Sequence, residues 1–262
     1  MTSERSRAQC LRRANARFVL TMLPAVLCII LTSLGHWPWA AVVFCVTLVV
    51  IVIGTLVPRC SLFGPLVKRQ PPGSKTPLLT IDDGPVGDES VALGDALAAR
   101  GVRATFFVKG ENLARHPAVA PRWLAAGHTL ANHTQTHPMG RFPWLSRRSV
   151  QREIDACHDA LRRAGAPDSP WFRAPVGLKG VHLHPVLAKR GLRLVAWTER
   201  GKDGRVCDPD AVLARLRPRC RPGAILVLHE GQPRSREAIL RVVEAAQTDG
   251  YAFTIPEDST LR

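Results

Sequence analysis

Residues 77–85 read Pro-Leu-Leu-Thr-Ile-Asp-Asp-Gly-Pro, an apolar run of strand length that ends on two adjacent carboxylates and turns at once at Gly84-Pro85. Downstream of it, short apolar runs alternate with amphipathic segments, the pattern of a parallel sheet wrapped by helices. This alternation predicts strands near 77–81, 104–108, 128–131, 171–173, 193–197, 223–228 and 251–254. The helix predicted over 147–164 carries Val150, Ile154, Cys157 and Leu161 on one face, with Ser146 as its N-cap. A last helix over 234–248 repeats the stripe with Ile239, Val242, Val243 and Ala246. Seven such units favour an α/β fold closed as a distorted (β/α) barrel of about seven strands over an open sheet. On this map Asp82, Asp83, His133, His137, Arg173, Asp203 and His229 all fall just after strands, the end at which parallel barrels place their active sites.

The chain has 262 residues, 46% of them hydrophobic, which excludes disorder and allows one good-sized domain with an appendage. The appendage lies upstream. Between Arg17 and Arg59 there is no Asp, Glu, Lys or Arg, and the run is broken near its middle by Gly35, His36, Trp37, Pro38 and Trp39. About 20 residues suffice for one span, so the reading is a two-helix transmembrane hairpin, roughly 18–35 and 39–57, too long for a cleaved signal peptide. Arg5, Arg7, Arg12, Arg13 and Arg17 precede it, Arg59, Lys68, Arg69 and Lys75 follow it, and its turn has neither Lys nor Arg. That distribution places a basic tail (1–17) and the domain on the cytoplasmic face of the membrane. A single span with an interfacial helix would instead put the domain outside. Residues 58–76, with Pro58, Pro65, Pro71, Pro72 and Gly73, read as a stiff linker, and 77–262 as the catalytic domain.

The formal charge of +15 lacks the basic helices, zinc spacing or recognition motifs that would point to nucleic acid. Seven scattered cysteines suggest neither a disulfide framework nor a zinc finger, and suit a reducing compartment.

Chemistry can be read from two short motifs. Adjacent carboxylates on extended backbone point in different directions, so one of Asp82 and Asp83 can bind a metal while the other serves a water as base; the plainer reading is a turn ending a strand. His133-Thr134-Gln135-Thr136-His137 puts two imidazoles four residues apart, on a helical turn or in a compact loop, where both reach one ion. With Asp83 they form a three-ligand set, which leaves a coordination position open as catalytic sites do. His pairs alone are more often solvated surface features. His36, His116, His128, His158, His182 and His184 are read as structural or solvent-facing, and Glu111, Glu199 and Glu230 receive no role.

With these motifs in place, the chain from about 77 to 255 resembles the polysaccharide deacetylase family, also called the NodB-homology domain or carbohydrate esterase family 4. Thr80 to Pro85 resembles the family's first motif, which implies Asp82 as catalytic base and Asp83 as metal ligand; His133 to His137 resembles the second and implies the other two ligands. Phe172-Arg173-Ala174-Pro175-Val176 resembles the third, implying that Arg173 holds the base carboxylate and that Pro175 and Val176 contribute to the substrate groove, with the backbone N–H of Val176 as oxyanion donor. Val176 stands where the family usually has Tyr. Trp197 to Gly204 resembles the fourth motif, which normally ends Asp-Trp and implies Asp203 as a partner of Arg173; a surface salt bridge is the plainer reading of Asp203. Ile225 to His229 resembles the fifth, implying His229 as general acid and Val227 in the acyl pocket; the alternative for His229 is a satisfied core histidine.

The resemblance thus implies a metal-dependent amide hydrolase that removes an acetyl or formyl group from an N-acylated amino sugar. One divalent cation, with zinc the expected ion, would activate water and polarise the carbonyl. A cytoplasmic site beside the bilayer favours a sugar carried on a polyprenyl phosphate or another glycolipid. An outward-facing deacetylase of peptidoglycan or a chitin-like polymer is the alternative within the same chemistry. A non-catalytic, membrane-tethered sugar-binding protein is the alternative outside it.

Overall fold

The computed structural model describes residues 2–71 and 73–255. The chain divides into two compact units: Met1–Leu66 with Pro138–Gln151 and Ala174–Leu194, and Val67–His137 with Arg152–Arg173 and Val195–Arg262.

In the first unit, α1 (Thr2–Ser33) and α2 (Trp37–Leu56) are joined by the Gly35 turn, and the Cys28 thiol donates to the Ala40 carbonyl between them. Helix α1 begins well upstream of the expected residue 18, and the side chains of Arg5, Arg7 and Arg13 in the basic tail lie outside the described residues. Leu20, Ile29, Leu34, Trp37, Trp39 and Phe44 are exposed, so the helices turn apolar side chains outward. Asn15–Ser33 and Trp37–Leu56 are each long and apolar enough to cross a membrane. The end of α2 is tied down by Lys179, whose buried ammonium donates to the carbonyls of Val57 (2.7 Å) and Pro58 (3.2 Å). Helix α7 (Leu183–Arg190) belongs to the same unit; the Phe18 and His182 rings meet at 5.6 Å, and the His184 ring lies where a Cβ on Gly64 would sit.

The strands are β1 (Leu78–Asp82), β2 (Thr105–Val108), β3 (Thr129–Asn132), β4 (Trp171–Phe172), β5 (Arg193–Leu194), β6 (Glu199–Arg200) and β7 (Ile225–His229). They follow the order β5-β4-β3-β2-β1-β7-β6, and every pairing described is parallel. The expected barrel is therefore a curled half-barrel that ends at two short strands. Two strand expectations are corrected. Residues 251–254 form no strand; Phe253 is buried in the helix-side core, and the segment is fixed by Tyr251 N–H to the Ala246 carbonyl and by the Thr76 and Thr254 hydroxyls. The outer position beside β7 is taken by β6, two residues too short and polar to show as an apolar run.

Strand side chains alternate in direction, and here the alternation separates two cores. Leu79, Ile81, Phe106, Leu130, Leu226 and Leu228 pack with α3 (Asp88–Ala99), α5 (Val119–Ala125), α8 (Pro209–Leu216) and α9 (Ser235–Thr248). Leu78, Phe107, Ala131, Ile225 and Val227 turn the other way and cluster with Val67, Trp171, Val195 and Trp197. Asp82 and His229 share the parity of this second set. Burial on both faces explains why β1, β2 and β7 read as continuous apolar runs. Helix α6 (Arg147–Arg163) begins with the Ser146 hydroxyl accepting from Ser149 N–H, and Val150, Ile154, Cys157 and Leu161 are all buried. Residues 58–76, expected as a bare linker, contribute buried Phe63, Val67 and Gln70. The last short helix, α4 (Gly110–Arg115), follows β2.

Trp123 stacks on Phe106 with centroids 3.9 Å apart, donates to the Ser90 carbonyl and fills the space above Gly94. Trp123→Ala removes that packing and should lower unfolding free energy by about 3–5 kcal/mol, as read by chemical denaturation of the full chain against wild type.

Candidate active site

Asp82, Asp83, His133, His137, Arg173, Asp203 and His229 all lie in the second unit. In the parallel ladder Asp82 and His229 are register partners, so two neighbouring strand ends present a carboxylate and an imidazole on one face. The sequence expectation was that Asp82 and Asp83 would diverge, as they would on continued extended backbone. Instead the strand stops at Asp82 and Asp83 adopts φ 78°, a left-handed conformation uncommon outside glycine. Both carboxylates consequently face the same imidazole: His133 Nε2 lies 3.8 Å from Asp82 Oδ2 and 3.9 Å from Asp83 Oδ1.

His133 follows β3, and His137 closes a compact loop in which Thr134 and His137 also have positive φ (71° and 51°). The ligand atoms of Asp83, His133 and His137 lie within 4.8 Å of one another, with His137 Nε2 3.5 Å from Asp83 Oδ1. His133 Nδ1 lies 2.9 Å from the Arg173 carbonyl, which can only accept, so Nδ1 carries the proton and Nε2 presents a lone pair. Burial lowers the pKa of His133, and burial together with His133 takes His137 down to about 3. Both imidazoles are thus neutral at physiological pH. Asp83 Oδ1 is buried without a hydrogen-bond partner. Two neutral imidazoles and an orphaned carboxylate oxygen converging within 4.8 Å fit a divalent cation.

Arg173, after β4, is fully buried. Its guanidinium donates to Asp82 Oδ1 (2.6 Å), the Thr80 hydroxyl (2.8 Å) and the carbonyls of Val195 and Ala196, and lies 4.0 Å from the Phe107 ring centroid. Asp203 is also fully buried, which removes the surface salt-bridge reading. Its partner, however, is not Arg173: Oδ2 accepts from His229 N–H (2.7 Å) and Oδ1 from His229 Nδ1 (2.9 Å). The carboxylate can only accept, so His229 holds its proton on Nδ1 and leaves Nε2 for exchange. Burial pulls the His229 pKa down, but the Asp203 hydrogen bond and the charges of Asp82, Asp203 and Asp83 outweigh it, and the net shift is upward.

Val227 is buried in the inner cluster beside Phe107 and Trp197. Pro175 and Val176 belong to the first unit, in a 3-10 turn where Val176 has φ 54° and is 46% exposed. Among the histidines given no role, His128 is a buried core residue whose ring joins Ala104 N–H and the Gly94 carbonyl. Two contributors were not legible in the sequence, the Thr80 hydroxyl on Arg173 and Lys109 at 4.0 Å from Asp83; Glu230 lies beside them, buried outside the rim. Burial pushes the Glu230 pKa up to about 8, the Ser90 hydroxyl donates to it, and its carboxyl occupies the space beside Gly84. Period-two parity would have separated Glu230 from His229, since adjacent residues face opposite sides of β7.

A parallel half-barrel with a buried carboxylate, a cation-ready triad and a carboxylate-held imidazole at one rim defines a hydrolase of the metal-assisted type. The family profile described as polysaccharide deacetylase matches residues 69–195. A chitooligosaccharide deacetylase of Sinorhizobium fredii is 35% identical over 169 residues, covering 64% of this chain and 77% of the relative. A family 4 carbohydrate esterase from Streptomyces lividans, solved with acetate, superposes with TM-score 0.65 at 29% identity over 72% of this chain and 96% of that one. A family 4 pseudoenzyme from Bacillus anthracis shares the fold, with TM-score 0.67 at 23% identity over 76% and 69% of the two chains. The chain belongs to the polysaccharide deacetylase family, carbohydrate esterase family 4. It is a carbohydrate deacetylase, a hydrolase of a non-peptide carbon–nitrogen bond in an N-acetylated sugar.

The triad makes a direct prediction. Purified wild-type protein should bind one transition-metal ion per chain, and His133→Ala and His137→Ala should each lose it, as measured by elemental analysis after exchange into metal-free buffer.

Proposed function

We propose that this chain deacylates an N-acyl amino sugar at the membrane surface, with Asp82 as base, His229 as acid, and Asp83, His133 and His137 holding one zinc ion. The observation that carries the reading is the convergence of these five side chains with Arg173 and Asp203 on one rim. The ion, when bound, would supply a Lewis acid for the acyl oxygen and for water. Asp82 takes a proton from the attacking water. Arg173 fixes its carboxylate, satisfies one oxygen and leaves Oδ2 facing the ligand set. His229 delivers its Nε2 proton to the departing nitrogen, so that amide and water become a free amine and a carboxylate. Asp203 orients the imidazole and favours its charged form. The Val227 side chain bounds the acyl pocket; Pro175 and Val176 are assigned to substrate by their match to the family's third motif.

A non-catalytic sugar-binding role has little support, because every polar group the reaction needs is present and two carboxylates and an arginine are buried to hold them. Burying such groups is costly unless they are paired.

We further propose that α1 and α2 cross the membrane with the catalytic domain on the cytoplasmic side, and that the sugar is lipid-linked, on a polyprenyl phosphate or another glycolipid. The basic flanks and uncharged turn support the orientation. An outward-facing deacetylase of peptidoglycan or a chitin-like polymer is the competing reading. A C-terminal reporter active only in the cytoplasm should discriminate them, and periplasmic or external reporter activity would overturn our orientation.

The acid–base assignment has its own test. His229 acts in its protonated form, and its pKa is raised, so kcat/KM should fall on the alkaline side as pH rises through that value. Asp203→Asn removes the largest stabilising contact of the imidazolium and should move this limb to lower pH; a limb left in place would reject His229 as the acid.

A further inference from the structure

We infer that Glu153 is the residue that positions both histidine ligands, an inference that rests on the metal site proposed above. Glu153 projects from α6 and receives three hydrogen bonds from the loop between the ligands. Its Oε2 accepts from the N–H of Gln135 (3.1 Å) and of Thr136 (2.9 Å), and its Oε1 accepts from the Thr136 hydroxyl (2.9 Å).

The loop needs such a clamp. Thr134 and His137 both hold positive φ, a conformation unfavourable for residues with a Cβ, and one that persists only where the surroundings over-determine it. The amides that a relaxed loop would release to solvent are those of Gln135 and Thr136. Other bonds fix the remainder: Asn132 Oδ1 accepts from Thr134 N–H, the Thr134 hydroxyl accepts from His137 N–H, and the carbonyls of Thr134 and Gln135 accept from Gly110 and Glu111 N–H. Between the two ligands, therefore, the carbonyls of Thr134 and Gln135 are held by the start of α4, the Thr134 amide by Asn132, and the amides of Gln135 and Thr136 by Glu153. The opposite wall is equally tight, because a Cβ on Gly110 would stand 2.1 Å from Gln135 Oε1 and 2.8 Å from Cys157 Cα. A carboxylate with one oxygen shared by two successive N–H groups fixes the peptide plane between them, and with it the separation of His133 from His137.

Geometry rather than charge is what Glu153 supplies, and this separates three variants. Glu153→Gln keeps an acceptor oxygen for both amides and offers its N–H₂ to the Thr136 hydroxyl, which can accept. Glu153→Asp keeps the charge but is one methylene short. Glu153→Ala keeps neither. The full chain in detergent is stripped of metal, and zinc affinity is measured by competition with a chromophoric chelator. Hydrogen exchange across 133–137 is followed in the metal-free protein. Ala and Asp should weaken zinc binding roughly 10- to 100-fold and speed exchange of the Gln135 and Thr136 amides, while Gln stays within a few-fold of wild type on both readouts. Ala binding zinc within two-fold of wild type, or Gln as impaired as Asp, would overturn the inference. If the Ala variant does not fold, the Gln and Asp pair decides. If wild type binds no zinc, the metal reading fails by itself, and the exchange rates still judge Glu153: unchanged protection in the Asp variant would reject it.

Discussion

The buried guanidinium of Arg173 is the interaction on which the site depends. Its side chain joins the ends of β1 and β4 to the segment at Val195 and Ala196, and it sets the orientation of the Asp82 carboxylate. Its backbone carbonyl, facing the other way, fixes the tautomer of His133. One residue thereby couples the base to the ligand set, through the side chain in one direction and the main chain in the other. A buried charge of this kind is tolerable only when its donors are used, and Arg173 spends them on a carboxylate, a hydroxyl and two carbonyls while its face meets Phe107. Breaking the pair leaves the remaining charge uncompensated in the interior, so the position is as much a constraint on folding as on chemistry.

The sheet imposes a second constraint. Because alternate side chains face opposite ways, the same strands build the helix-side core and the interior cluster, and only residues of one parity can reach the rim. Asp82 and His229 have that parity; Glu230, next in sequence, does not, and is buried as a high-pKa carboxyl against Ser90. Where the chemistry needs a second carboxylate on the same side, the chain leaves the strand: Asp83 does so through a left-handed residue directly after β1.

Much of this was legible in the sequence because it rests on local pattern. The runs near 77–81, 104–108, 128–131 and 223–228 announce buried parallel strands, and the polar residues at their ends announce the rim. Three things were not legible, each for a physical reason. Strand β6 is a two-residue pairing of Glu199 and Arg200, without apolar content to betray it, whereas Tyr251 and Phe253 have strand-like composition but serve as a cap on the helix-side core. The turn of Asp83 toward Asp82's side depends on a backbone angle, not on residue type. The partner of Asp203, which is His229 and not Arg173, depends on which loops meet, and spacing along the chain carries no record of that.

The capping of α2 by Lys179 alters what the N-terminal helices are. An anchor joined by a flexible tether can be cut away and leave an intact enzyme behind. Here the carbonyls of Val57 and Pro58, directly after the second helix, are acceptors for a buried ammonium that belongs to the segment 174–194, and Gly64 is seated against His184 from the same segment. Cutting the chain ahead of Val67 would strand that ammonium in an apolar setting and uncover the ring of His184. The helical pair is a structural part of its own unit, and its loss would register first as misfolding of the segment 174–194.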